Sequence, residues 1–203
     1  MIGFIWIFPH LGLLPIFIYP FVVLFVVWLY LKLNGEQFKD IGFRFSQLGW
    51  QPFIIGSAIG LGYAILDYWL LGPFMINIIG LRRANIADFY FVRNSIFNLL
   101  YILAIAWLIG VPYEEIVFRG FIFTRLRSMI KGKWRYGICV LVTSLLFAMY
   151  HFQQGASGVF NAFVFSLVIS LVYRVYKGNL WYVIFFHAMY DTFMLTMIHL
   201  RLI

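Results

Sequence analysis

Glu114 and Glu115 stand next to each other in Pro112-Tyr113-Glu114-Glu115-Ile116-Val117-Phe118-Arg119-Gly120, inside a chain whose other residues are mostly lipid-like. The remaining five of the seven acidic residues are scattered along the chain. Ionisable groups at membrane depth cost roughly 2.5–3.5 kcal/mol each on insertion scales, so an adjacent pair asks for a chemical reason. On a helix, residues four apart share a face. Glu115 therefore meets Arg119, and pairing lowers the burial cost of both. Glu114 is turned about 100° away, and its own position four residues on is Phe118, which gives it no local partner. The two glutamates should differ, Glu115 as a held structural partner and Glu114 as the chemically available carboxylate. His151 follows Phe147 by one turn, and His187 and Asp191 are again four apart. Three apolar segments thus each carry polar groups facing one way. Carboxylates and imidazoles are the groups of acid–base chemistry on water, and they are also competent zinc ligands.

The elements that must position these groups are helices. Of 203 residues, 64% are hydrophobic, 22% aromatic and only 11% charged, where a soluble domain is about 45–50% apolar. The expected fold is all-α: one integral-membrane domain over residues 1–203, a polytopic bundle of about six transmembrane helices in the cell membrane. Apolar runs place them at residues 11–33, 52–75, from 96 onward, 137–152, 159–176 and 180–200. A span needs about 20 residues, so the third run, 96–130, is too long for one straight helix. Gly110 and Pro112 interrupt it, leaving either one bent helix or a break after which Tyr113 opens a new one. In both, Glu114 and Glu115 lie just after the break, and the unpaired N–H groups of a broken helix start would favour them.

The net charge of +8 does not point to nucleic acid, because the basic residues fall in short clusters between apolar runs. Clusters at 32–44, 125–135 and 174–177 fall on one side, which reads as cytoplasmic with both termini outside. The three arginines in 77–93 oppose this, and that stretch reads as an interfacial amphipathic helix. The single cysteine, Cys139, excludes an intramolecular disulfide. No basic leader region precedes the first apolar run, which is expected to stay as a helix. Gly56, Gly60 and Ala64 allow close helix packing or a dimer contact. Asp67 reads as an interfacial or tyrosine-bonded group, His10 and His199 as interfacial, and Trp28, Trp69 and Trp181 as aromatic-belt anchors.

Depth gives an independent check on the polar positions. Glu114 precedes Lys133, in the basic turn, by 19 residues and His151 follows it by 18. Two antiparallel helical arms of that length each rise about 27–28 Å, so the two side chains should sit level. His187 follows the turn at 177–178 by only about nine residues, and on the same arithmetic it should lie shallower unless that turn protrudes less.

The ordered set Glu114-Glu115-x-x-x-Arg119, Phe147-x-x-x-His151 and His187-x-x-x-Asp191 resembles the CAAX protease and bacteriocin-processing (CPBP, or Abi) family of intramembrane glutamate-dependent endopeptidases, which is marked by EExxxR, FxxxH and HxxxN/D in that order. The resemblance runs from about Tyr113 to the C-terminus, with a family-like core at about residues 96–203. It implies a peptide hydrolase in which Glu114 is the general base on a water molecule, His151 helps hold that water, and His187 with Asp191 forms the oxyanion-stabilising side. Glu115, Arg119 and Phe147 would support them. An ionised Asp191 cannot donate to an oxyanion, and would instead orient His187 as the donor.

The partners implied are a membrane-associated peptide or protein, prenylated CAAX proteins and secreted precursors among them, and the lipid bilayer, with no nucleic acid. No cofactor is implied. A bound divalent metal such as zinc is the chemical rival, against which stand the missing HExxH segment and the lack of clustered cysteines. The alternative function is a non-proteolytic bacteriocin immunity or membrane interaction protein of the same fold. A small transporter ranks below both, since the sequence has no inverted repeat.

Overall fold

The computed structural model describes residues 1–14 and 18–203. It is a helical bundle: α1 (Ile2–Leu11), α2 (Tyr19–Leu33), α3 (Trp50–Asn77), α4 (Ile96–Met129), α5 (Arg135–Tyr150), α6 (Phe152–Val175) and α7 (Leu180–His199). Among the described residues there is no strand. By length and composition, α3, α4 and α6 are long and apolar enough to cross a membrane, while α1, α2 and α5 are shorter apolar helices. The first helix differs from the expected 11–33. The chain forms α1, closes it at Gly12 with φ +65, and starts α2 at Tyr19. Residues 15–17 of that expected helix lie outside the described residues.

The long third run is one continuous helix, α4, rather than two. Proline normally costs a helix one backbone bond, and here a wide π-helical turn, Ala106–Gly110, precedes Pro112 and carries a Val111 N–H to Ala106 carbonyl bond. A second wide stretch, Ile116–Ile122, follows Glu115. The helix therefore has no fresh start near Glu114, and the expected cluster of free N–H groups at the glutamates is absent. π-Bulges of this kind recur at functional sites. α3 has one as well, Asp67–Leu71, opening on Asp67.

α4 and α5 run antiparallel in the expected register. The Phe118 and Phe147 rings meet at 5.1 Å and the Tyr113 and Tyr150 hydroxyls at 3.5 Å, which sets Glu114 opposite His151. α7 starts deeper than the height of α4's basic end suggests. Leu180 is fully buried and touches the α4 backbone at Gly120. Gly120 lies six residues after Glu114 and Leu180 seven before His187. These are rises of about 9 and 10 Å along opposed helices, so His187 comes level with Glu114. The turn before α7 is therefore the one that protrudes less. Above it, the α2–α3 connection folds back over both helices. Gly42, at φ +94, leaves no room for a Cβ against the Gly178 carbonyl, and Glu36 is paired with Arg125 of α4 at 2.5 Å.

Two membrane-anchor assignments change. Trp181 is buried, its indole N–H donating to the Arg44 carbonyl at 2.8 Å, so it locks the connection onto α7 instead of facing lipid. The 77–93 stretch holds no amphipathic α-helix. It runs irregularly from Gly80 and forms a 3-10 segment, Ala87–Asn94. That segment shares a small core of Val92, Leu99, Leu195 and Ile198 with α4 and α7. Arg93 donates to the Ile198 and Ile203 carbonyls at 3.3 and 2.6 Å, and His199 to the Val92 carbonyl at 2.6 Å. Trp28 and Trp69 are exposed.

The small-residue row of α3 is spent within the chain. Gly56 and Gly60 lie against the α7 backbone at Tyr182 and Phe186, where a Cβ on either would collide with a carbonyl. This contact holds α7 in place one residue from His187. Replacing Gly60 by Ala should lower stability in detergent by about 1–3 kcal/mol, as overpacking does. Gly62→Ala, on an open face of the same helix, should leave stability unchanged or raise it by up to about 1 kcal/mol. Chemical or thermal unfolding of the two variants checks the pair.

Candidate active site

Arg119 is a buried charge, 1% exposed, and Glu115 beside it is fully buried. The i,i+4 pair forms at 3.3 Å between Arg119 Nη1 and Glu115 Oε1. Arg119 also donates to the Ser166 hydroxyl on α6 at 2.8 Å and lies 4.3 Å over the Phe147 ring. Three helices therefore contribute to one buried cation. This is how a guanidinium is tolerated in an apolar interior: matched charge, hydrogen bonds and a π face.

Glu115 has a second partner that helix geometry alone did not indicate. His187 Nδ1 lies 2.7 Å from Glu115 Oε1. A carboxylate accepts, so Nδ1–H donates, and the ring is held with Nε2 turned the other way. That nitrogen faces Glu114 Oε2 at 3.9 Å and Asp191 Oδ1 at 3.7 Å, too far for direct bonds and within reach of one bridging water. Orientation of His187 therefore comes from Glu115, and Asp191 flanks the opposite nitrogen. The difference from expectation arises because α7 sits deep enough to bring His187 between both glutamates.

Glu114 itself makes no hydrogen bond among the described residues, and its side chain is 18% exposed. It opens into a cavity of about 710 Å³ shared with His151, His187 and Asp191. His151 caps the end of α5, where its Nδ1 lies 2.9 Å from the Phe147 carbonyl. A carbonyl only accepts, so Nδ1 carries the proton and Nε2 is left as an acceptor. Phe147 is the wedge between these groups. Its ring lies 4.7 Å from His151, 6.2 Å from His187 and 5.9 Å from Phe165. The structure thus brings Glu114, Glu115, Arg119, Phe147, His187 and Asp191 into one cluster, with His151 lining the same cavity.

The cavity reaches well beyond the motif residues. Its apolar part is lined by Ile102 and Ile105 of α4 and Met194, Leu195 and Ile198 of α7. Also lining the cavity, buried Asp67 accepts from the Tyr190 hydroxyl at 2.7 Å and from Asn161 Nδ2 at 2.8 Å. The tyrosine-bonded reading of Asp67 is what the structure contains. Trp107, within the first wide turn of α4, donates to the Thr192 hydroxyl at 2.9 Å, next to Asp191. Asn161, Thr192 and Trp107 carry no sequence signal of their own, being ordinary residues of apolar helices.

A scan against family models matches residues 96–193 to the Rce1-like family, type II CAAX prenyl endopeptidase Rce1-like. The matched stretch runs from the first residue of α4 to two residues past Asp191 and contains every motif residue. No curated relative and no solved structure matches the chain. Over residues 96–193, just under half of its length, this chain is similar to the Rce1-like family, type II CAAX prenyl endopeptidase Rce1-like.

Proposed function

We propose that this protein is a membrane-embedded endopeptidase that hydrolyses a peptide bond with a water molecule activated by Glu114. The observation that carries the reading is the contrast between adjacent carboxylates. Glu115 is buried and bound to Arg119 and His187, while Glu114 opens unbonded into a cavity. A general base must keep its carboxylate free to take a proton, and it must stand within reach of one water. His151 Nε2, an acceptor lining the same cavity, suits the second proton of that water.

Attack by the water oxygen on the substrate carbonyl carbon moves one proton to Glu114 and the π electrons to the carbonyl oxygen. With both nitrogens protonated, His187 offers Nε2–H to that oxyanion while Nδ1–H stays on Glu115. Asp191, as a carboxylate, contributes charge balance rather than a donor. Collapse of the intermediate expels the amine, which takes its proton from Glu114. The length and hydropathy of α3, α4 and α6 support a multi-pass protein of the cell membrane. The family name points to peptides ending in a prenylated CAAX sequence, and the apolar part of the cavity suits a lipid-modified residue beside the scissile bond.

The probe is an internally quenched peptide with a prenylated cysteine in a CAAX ending, tested against its unprenylated counterpart on purified protein. Glu114→Gln should reduce cleavage by about 10²–10⁴-fold, the usual contribution of a positioned base, with the protein still folded in the membrane. Full cleavage by that variant contradicts the role of Glu114, and a phenotype that survives loss of both Glu114 and His151 favours the non-proteolytic alternative.

Glu115→Gln should instead lower stability, by about 3–5 kcal/mol if Arg119 is left uncompensated. Loss of activity with the unfolding midpoint unchanged would contradict the pairing. Treating the purified protein with a strong chelator should leave the cleavage rate unchanged. Activity lost on chelation and restored by zinc would transfer the chemistry from the carboxylate-held water to a metal-bound one.

A further inference from the structure

Three tyrosines from three helices form a hydrogen-bonded chain beside Glu114. The Tyr113 and Tyr150 hydroxyls lie 3.5 Å apart, and Tyr150 donates to Tyr19 at 3.2 Å. A phenol has one proton. Tyr150 spends its proton on Tyr19, so Tyr113 is the donor in the first contact, and the chain runs Tyr113 to Tyr150 to Tyr19. Tyr19 then holds an incoming bond on its oxygen and has its own proton unspent, with no further hydrogen bond among the described residues. It lines the same cavity as Glu114 and His151. Its neighbours tie it to the Glu114 and His151 end of that cavity. Tyr113 precedes Glu114 in sequence and meets the Tyr19 ring edge-on at 5.6 Å, and Tyr150 precedes His151, with ring centroids 5.6 Å apart. Both tyrosines that hold Tyr19 are thus direct chain neighbours of the two groups assigned to the water.

We propose that Tyr19 is a further catalytic residue, whose hydroxyl donates to the nucleophilic water. The inference rests on the function proposed above. A water molecule has two protons and two lone pairs. Glu114 takes one proton and His151 Nε2 accepts the other. One lone pair must remain for the carbonyl carbon, which leaves the second to accept from a donor. A donor there converts two anchors into three and aims the attacking lone pair, the kind of orientation whose loss by 1 Å can cost about 10²-fold in rate. During attack the oxygen forms its bond to carbon, one proton passes to Glu114, and Tyr19 keeps its own proton. The chain behind it fixes the direction of that proton and strengthens the donor, since hydrogen-bonded hydroxyls polarise one another. Tyr19 belongs to α2, outside the family-matched residues 96–193.

The experiment measures kcat, KM and melting temperature for wild type, Glu114→Gln, Tyr19→Phe, Tyr150→Phe and Tyr113→Phe on the prenylated quenched peptide. Tyr19→Phe should lower kcat by about 10- to 100-fold, with KM within about threefold. The losses should fall in the order Tyr19, Tyr150, Tyr113, as the missing hydroxyl moves away from the water. A structural effect has the reverse order, because Tyr113 and Tyr150 are 1% and 4% exposed while Tyr19 is only half-buried. If Glu114→Gln is inactive but Tyr19→Phe keeps kcat within about threefold, or if the three losses follow melting temperature instead, the role of Tyr19 is wrong and the proposed function stands. If wild type does not cleave, or Glu114→Gln cleaves fully, the proposed function fails and takes the inference with it.

Discussion

A guanidinium 1% exposed among hydrophobic helices cannot exist unless its charge is matched on the spot, and most of the site follows from how that match is made. Removing one partner of a buried pair costs about 3–5 kcal/mol, so Arg119 ties Glu115 to one position. Glu115 in turn holds His187 through Nδ1 at 2.7 Å. Ser166 on α6 and the Phe147 ring on α5 complete the shell around Arg119. One cation thus fixes the relative height of four helices, and the imidazole reaches the cavity in a set orientation. The groups proposed to react need no rigidity of their own, because it is supplied by a neighbour to which no chemistry is assigned.

The wide turns of α4 serve the same end. A regular helix through Pro112 would lose a backbone bond, and a full break would leave free N–H groups to bind the glutamates. The π-helical turn before Pro112 avoids both. Glu114 is left without a hydrogen bond on a continuous helix, flanked by the Trp107–Thr192 contact that fixes α4 against α7. On the far side of α7, the absence of side chains at Gly56 and Gly60 lets α3 approach the backbone at Phe186. His187 is therefore pressed toward α4 from behind by α3 and drawn by Glu115 in front.

Much of this was legible in the chain because it depends on helix periodicity alone. The Glu115–Arg119 pair, the division between the two glutamates and the level placement of Glu114 and His151 follow from 3.6 residues per turn and a count from Lys133. What was not legible depends on how loops set helix height. The deep start of α7 comes from the 34–49 connection folding over Gly120 and Leu180, and without it His187 could not be placed against Glu115. Trp181 read as a lipid-facing anchor for the same reason, its indole being covered by that connection. The 77–93 arginines suggested a surface helix, yet Arg93 is consumed by carbonyls at the end of α7. Tyr19 gave no signal at all, since a tyrosine in an apolar run looks the same whether it faces lipid or a cavity.

The central claim is a single trapped water between Glu114 and His151, and locating it is the most direct test. A crystal structure of the protein in a lipid phase, at a resolution that shows ordered water, should place one within about 2.6–3.2 Å of both the Glu114 carboxylate and His151 Nε2, with Glu115 still bound to Arg119 and His187. A dry site, or a Glu114 carboxylate paired directly with Arg119 in place of Glu115, would contradict the account.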